Sequence, residues 1–319
     1  MNREEARKTD ALNSLIWWLS RPYALFLGLA FLFTPSCTLL NALETGAEFL
    51  NIDPSARSAA MGNAQSALAL GAESAWSNPA GLLGLRGREL AFMKADWPED
   101  GAYSAASFAA PISGGWMGAF SFARLDYGGF QGRDDNRALT GSFEASDKSF
   151  ALSAAGPLGG GVGFGVTARH FSSHIAGRTA SALSADAGVT ARLPSAPVRV
   201  GLAVRNIGGG LDYGYGNNRL PLSVSLGAAV NVLPGMALAA DVKRLVYDRE
   251  TTVSVGTEYM LGGSMTMRGG YAAQMGGADM LGGFSGGLGI KMSGLRLDYS
   301  FTPFAGFGSS KRLTMAFAF

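Results

Sequence analysis

The chain is poor in cysteine, in charge and in long apolar sequence. One cysteine among 319 residues, Cys37, excludes any disulfide within the chain. Charged residues make up 16%, against about 25% in an average soluble domain. A net charge of +2 excludes a strong electrostatic partner such as nucleic acid. A helical membrane protein needs several runs of about 20 apolar residues; this chain has one run, 23–33, and nothing comparable after it. The two histidines, His170 and His174, lie near a predicted strand end with no cysteine or glutamate cluster to complete a metal site. No P-loop occurs, and the one Gly-x-Ser-x-Gly match, at 283–287, falls inside a predicted strand and not at a strand-to-helix turn. The glycine run at 159–165 opens a strand and not a helix, so it is no nucleotide loop. These absences predict no enzyme, no catalytic residue, no cofactor and no bound metal.

Glycine is what the chain has in excess: 46 glycines against 12 prolines, without a collagen period. Hydrophobic residues reach only 47%. Moderate hydrophobicity, few charges and abundant Gly, Ala and Ser fit strands that are apolar on one side only. At the N-terminus, basic Arg3, Arg7, Lys8 and Arg21 precede the short apolar run, and Leu40, Asn41 and Ala42 offer a cleavage site. Residues 1–42 therefore read as a signal peptide, whose removal would take Cys37 with it.

From 87 to 319 one pattern recurs: about ten alternating residues, then a turn. Leu295, Leu297, Tyr299 and Phe301 share one face, and Arg296, Asp298 and Ser300 the other. Leu313, Met315, Phe317 and the terminal Phe319 alternate with Arg312, Thr314, Ala316 and Ala318. The polar face is rich in Gly, Ala and Ser, as a crowded lumen requires and a face in bulk water does not. Short turns near 111–114, 156–159, 193–197, 233–235, 261–264 and 292–294 alternate with longer polar loops at 126–141, 206–220, 274–283 and 303–311. That alternation is the topology of an outer-membrane barrel with short periplasmic turns. The reading is all-β: a transmembrane antiparallel barrel of about 14 strands over 87–319, an even number that closes with both ends in the periplasm. Residues 43–86 break the pattern, with small residues at near-helical spacing (Ala56, Ala59, Ala60, Ala64). A lumen of that size is too wide for wall side chains alone to fill, so this stretch is expected to be an N-terminal plug inside it.

The same stretch carries a recognisable motif. Phe49 to Gly62, with Ala56-Arg57 and Met61-Gly62, is followed by Asn78-Pro79-Ala80-Gly81-Leu82. It resembles the N-terminal signature of the PorV/PorQ family, which is similar to the FadL-type long-chain fatty-acid transporters. The acidic pair that usually precedes the Asn-Pro-Ala-Gly segment is reduced here to Glu73. The likeness continues through Leu125 to Gly128, Gly201 to Asn206 and Gly294 to Phe301. It implies a 14-stranded barrel with an N-terminal hatch, in the bacterial outer membrane. It also implies passage of hydrophobic molecules such as long-chain fatty acids, entering at a loop mouth, moving past the plug and leaving sideways through the wall. A PorV-like partner or shuttle in type IX protein secretion is the alternative.

Three sets of residues are candidates for that work. Asn78, Pro79, Ala80 and Gly81 shape a plug loop, because proline restricts Asn78 to extended geometry and Gly81 permits a tight turn. Tyr127, Phe130, Tyr213 and Tyr215 fall in the two longest loops, where they would form an apolar mouth. Arg199, Arg205, Asp241, Lys243, Glu258, Arg268, Arg296 and Asp298, with Arg169 and Arg312, are charges on the inward face. Their mixed signs suggest a ladder of pairs fixing plug to wall, and one arginine among them could instead meet a carboxylate ligand. The expected partners are outer-membrane lipid, a hydrophobic small-molecule ligand, and the barrel-assembly machinery during biogenesis. The protein is expected to act as a monomer.

Overall fold

A computed structural model describes residues 44–97, 100–214, 216–275, 282–304 and 308–319. The expected signal peptide, 1–42, and Tyr215 lie outside them. The strands are β1 (Glu89–Trp97), β2 (Gly101–Pro111), β3 (Met117–Arg133), β4 (Leu139–Gly159), β5 (Val162–Ile175), β6 (Arg178–Arg192) and β7 (Val198–Gly208). After them come β8 (Gly210–Asp212), β9 (Asn217–Arg219), β10 (Ser223–Leu233), β11 (Met236–Leu245), β12 (Thr251–Leu261), β13 (Met265–Met275), β14 (Gly282–Met292), β15 (Leu295–Phe304) and β16 (Gly308–Ala318). Fourteen of them form a closed antiparallel barrel; β8 and β9 form a separate hairpin, and Arg219 of β9 also bridges Thr45 of the plug. Each barrel strand pairs with its neighbour in the sequence, and β16 returns to β1 with Glu89 opposite Ala318 and Asp96 opposite Lys311. Phe319 extends that seam, exchanging two backbone hydrogen bonds of 3.0 Å with Arg88. Within the closed barrel no strand is left as an edge, so the wall satisfies its backbone inside the fold.

The period of two sorts each strand into a buried and an exposed face, as in β2, where Tyr103 is 0% exposed and Phe108 39%. Outward positions carry Phe92, Phe120, Leu152, Leu183, Leu202, Val255, Leu288 and Leu313, all exposed. An exterior of large apolar side chains is the reverse of a soluble barrel's, and it matches the lipid-facing band of membrane barrels. Trp116 and Phe120 also point outward.

Two loops differ from the expectation drawn from the sequence. The stretch 126–141 is mostly strand: β3 runs on to Arg133 and β4 starts at Leu139, with a bulge between Asp126 and Gly129. The pairing of β3 with β2 ends at Asp126 and that of β4 with β5 begins at Ala145, so residues beyond those points pair only within this hairpin. The period of two lapses there, because nothing covers either face and apolar residues such as Phe130 and Leu139 are scattered among polar ones and glycine. In 206–220, the β8–β9 hairpin interrupts what reads as one loop.

Residues 44–86 fill the lumen. They form a helix, α1 (Ala56–Ala60), and three 3₁₀ turns at Glu48–Asn51, Ala72–Trp76 and Pro79–Gly84. Ser55 caps α1, its hydroxyl accepting from the Ser58 N–H. Small residues let the plug press its backbone on the wall, and the wall answers with inward glycines. A Cβ on Gly165 would lie 2.5 Å from the Pro79 carbonyl carbon, and one on Gly256 2.6 Å from the Met61 carbonyl oxygen. Gly188, Gly201, Gly227, Gly270 and Gly287 meet the plug in the same way. These inward glycines make room for the plug.

Candidate functional site

The lumen changes character along its axis. Toward the hairpin end it is apolar and aromatic. Plug residue Phe49 stacks on Phe171 at 5.8 Å between ring centroids and meets Tyr103 edge-on at 5.5 Å. Leu50, Trp76, Leu125, Leu211 and Leu220 complete this buried cluster. Tyr127 and Tyr213 pack against it, half-buried, and Tyr127 donates to Asp147 Oδ2 at 2.8 Å. Phe130 does not join them. It stacks on Phe143 at 5.3 Å on the projecting part of the hairpin, because the bulge after Asp126 turns it away from the lumen.

Below this cluster the plug is tied to the wall by charge. Arg57 on α1 pairs with Glu258 at 2.8 Å, Glu258 with Arg268 at 2.6 Å, Arg268 with Asp298 at 2.7 Å, and Asp298 with Arg296 at 2.7 Å. Arg296 then returns to the plug at Glu73, 2.7 Å away. The chain crosses β12, β13 and β15. It passes over β14 at Gly289, where a Cβ would lie 2.5 Å from Asp298 Oδ1 and 2.7 Å from Arg268 Nη1. Buried ion pairs are weak sources of net stability but strong sources of register, and this one fixes where the plug sits.

The other inward charges do different work. Arg169 pairs with Asp186 at 2.6 Å and lies over the Trp76 ring at 4.6 Å. Arg205 donates to the Trp76 carbonyl and Arg312 to the Asp53 carbonyl. Desolvation pushes the Asp53 carboxyl above the ordinary carboxylate range, against the Ser58 hydroxyl that donates to it at 2.7 Å. Asp241 accepts the backbone N–H groups of Gln65 and Ser66 at 2.8 and 2.7 Å. The ladder inferred from mixed signs stops short of Lys243 and Arg199, which have no ion pair among the described residues. Arg57, Glu73, Asp186 and Arg192 were missed as site residues. Asp186 and Arg192 stand on the Ala-Gly-Ser-rich face of β6, where the alternation places them inward.

Asn78 is fully buried and acts as a tie. Its amide donates to the Ser66 carbonyl at 2.8 Å and the Val189 carbonyl at 3.2 Å, while its oxygen caps the next turn at Ala80 N. Pro79 opens that turn, where a missing N–H is harmless. Gly81 stands in this 3₁₀ turn, and its φ is not positive. Its lack of a side chain matters because a Cβ would lie 2.6 Å from the Ala69 carbonyl oxygen and 2.7 Å from Ala69 Cβ. Ala80 and Gly81 line a cavity of about 300 Å³ at the short-turn end, with Leu70, Leu83, Arg192 and Arg199.

A second hollow lies outside the wall. Outward Ala228, Ala240 and Gly269 leave an apolar groove of about 780 Å³ over β10 to β14, bordered by Leu238, Tyr271 and Phe284. His170 points outward and His174 sits 3.0 Å from the Thr179 hydroxyl. Among the described residues, no three or more His, Cys, Asp or Glu are grouped to hold a metal ion.

No family model matches the chain, and no curated protein matches it. Solved structures with the same fold do. The toluene transporter TbuX of Ralstonia pickettii is 14% identical with a TM-score of 0.63, over 83% of this chain and 98% of that one. The toluene transporter TodX of Pseudomonas putida is 14% identical with a TM-score of 0.61, over 82% and 96%. A Pseudomonas aeruginosa FadL homologue is 13% identical with a TM-score of 0.54, over 82% and 96%. The fold is therefore the barrel fold of these solved transporters and of the FadL homologue.

Proposed function

We propose that the protein sits in a bacterial outer membrane and lets hydrophobic small molecules cross it, without catalysing a reaction. The observation that carries this reading is the aromatic cluster around Phe49. The plug itself supplies the apolar surface at the hairpin end, so a greasy molecule arriving there meets plug and wall together. Short turns mark the opposite end as periplasmic and the hairpin end as external. The similar solved structures are toluene transporters and a FadL homologue, and long-chain fatty acids are the cargo that the PorV/PorQ and FadL resemblance adds. A molecule crossing the lumen must displace plug contacts, because Phe49, Met61 and Leu82 are at most 1% exposed. The test is uptake of labelled toluene and labelled oleate into liposomes holding the purified barrel. Saturable uptake above protein-free liposomes supports the reading, and its absence for both refutes it.

The projecting β3–β4 hairpin favours a second reading. It carries the exposed pair Phe130 and Phe143 and the exposed Leu139 beyond the neighbouring strands. On this surface a secreted polypeptide would dock if the protein acts as a PorV-like partner or shuttle in type IX secretion. Copurification of a secreted polypeptide, lost on deleting 130–143, would support that reading over transport.

A further inference from the structure

Six arginines that face the lumen or belong to the plug are held by partners: Arg57, Arg169, Arg268 and Arg296 by carboxylates, Arg205 and Arg312 by plug carbonyls. Arg192 and Arg199 are different. They are register partners across β6 and β7 at the periplasmic end, on the strand face that turns inward, with Arg192 exposed and Arg199 half-buried. Like charges directly opposite on paired strands repel, yet among the described residues no carboxylate pairs with either. Both line the 300 Å³ cavity beneath the plug. Its lining contains no acidic residue; the one other polar side chain is Thr190. The rest is apolar or glycine, with plug residues Leu70 and Leu83 and wall residue Val162 among it. Arg57 lies nearby, but Glu258 neutralises it.

We infer that this cavity binds an amphiphilic monocarboxylate. The carboxylate bridges the two guanidiniums, whose planar forks match its geometry and whose mutual repulsion it relieves. The apolar body lies against Leu70 and Leu83. A volume near the lower end of small-molecule sites, about 300–1,000 Å³, suits a medium-chain or monoaromatic acid and not an extended lipid. The inference goes beyond the proposed function, because equilibrium binding here does not require passage through the plug. If passage does occur, the site is the last one met before the periplasm.

The full-length barrel, reconstituted in nanodiscs of phosphatidylcholine so that no anionic lipid competes, is titrated with octanoate, octanol and inorganic phosphate. Octanoate should bind with one saturable site, and R192Q/R199Q should weaken it at least tenfold. Octanol should bind weakly and equally to both proteins. R199K should recover part of the affinity, since it restores the charge but not the fork. Equal octanoate binding by the double variant overturns the inference, as does octanol binding as tightly as octanoate. Phosphate that displaces octanoate at equal concentration also overturns it, by showing a site for any small anion. On the unmutated barrel, saturating octanoate should protect Arg192 and Arg199 from phenylglyoxal; full labelling of both would refute the assignment even if the variants fail to assemble. Toluene has no head group, so failed toluene uptake counts against the transport reading alone.

Discussion

Arg57 of the plug and Glu258 of the wall are 2.8 Å apart, and Glu258 is shared with Arg268 at 2.6 Å. One carboxylate thus holds a plug cation and a wall cation together. Glu258→Gln should leave Arg57 without a carboxylate partner, while Arg268 keeps Asp298 at 2.7 Å. Breaking a buried pair costs about 3–5 kcal/mol; with the Glu258 side chain 21% exposed, water offsets part, leaving about 2–3 kcal/mol. Trypsin should cut the plug at a lower temperature in the variant while the barrel stays heat-modifiable. An unchanged cutting temperature would show that the chain of ion pairs is not what anchors the plug.

Gly269 and Gly270 test how the wall receives the plug. They are neighbours on β13 that point to opposite faces. A Cβ on Gly270 would land on the backbone of Met61 and Gly62, which has no flexible end to move aside. A Cβ on Gly269 would meet only Thr257 Cγ2, at an ordinary 3.8 Å. Gly270→Ala should therefore loosen the plug and let small sugars leak from liposomes, while Gly269→Ala should stay tight. Equal leakage from the two variants would refute a direct plug–glycine contact.

The wall was legible because its information is local. A period of two, such as Leu295 to Phe301, states both that a segment is a strand and which side faces lipid, and neighbouring strands then pair in sequence order. The β3–β4 hairpin escaped because, beyond Asp126, neither of its faces is covered and the alternation lapses. The presence of a plug was readable from the broken pattern at 43–86, but its contacts were not. Arg57 and Glu258 are 201 residues apart, and no periodicity links them. The close packing behind Gly81 was hidden for a related reason. A glycine's φ and its clearance look alike in a sequence, and here clearance from Ala69 decides.

Depth in the membrane should set the cost of an outward charge. Leu152 and Leu158 both lie on the exposed side of β4, at 65% and 63% exposure. Leu152 sits within the stretch paired on both sides, whereas Leu158 sits next to the short turn to β5. Leu152→Arg should destabilise the barrel by about 2–4 kcal/mol and Leu158→Arg by about 0–1 kcal/mol. Urea unfolding in phospholipid vesicles measures both. A soluble barrel with water on its outside would show little cost at either site, and that result would remove the outer-membrane assignment.

Asn78 offers the most direct control of the plug. Its amide group alone donates to two carbonyls on different elements, Ser66 in the plug and Val189 in β6, and it is 0% exposed. Asn78→Asp keeps the shape and keeps an oxygen to cap Ala80 N, but it replaces the donor with a second acceptor. Two carbonyls then face an oxygen with no proton between them, unless the carboxyl itself takes one up. Leaving buried acceptors unmet costs about 1–3 kcal/mol, and a buried carboxylate without a cation adds to that. The 3₁₀ turn at Pro79–Gly84 should detach from Gly165 and Gly188 while the closed wall, which satisfies its own backbone, stays folded. Toluene uptake into liposomes should rise, because the molecule no longer has to displace a tied plug. Lowering the pH should reverse part of the rise: once protonated, the introduced carboxyl regains one donor, so the tie is strongest below the pKa of that group. Ser77→Ala, beside it and without its bonds, should leave uptake unchanged. Uptake in Asn78→Asp equal to that of the unmutated barrel at every pH would mean that the plug does not gate the passage.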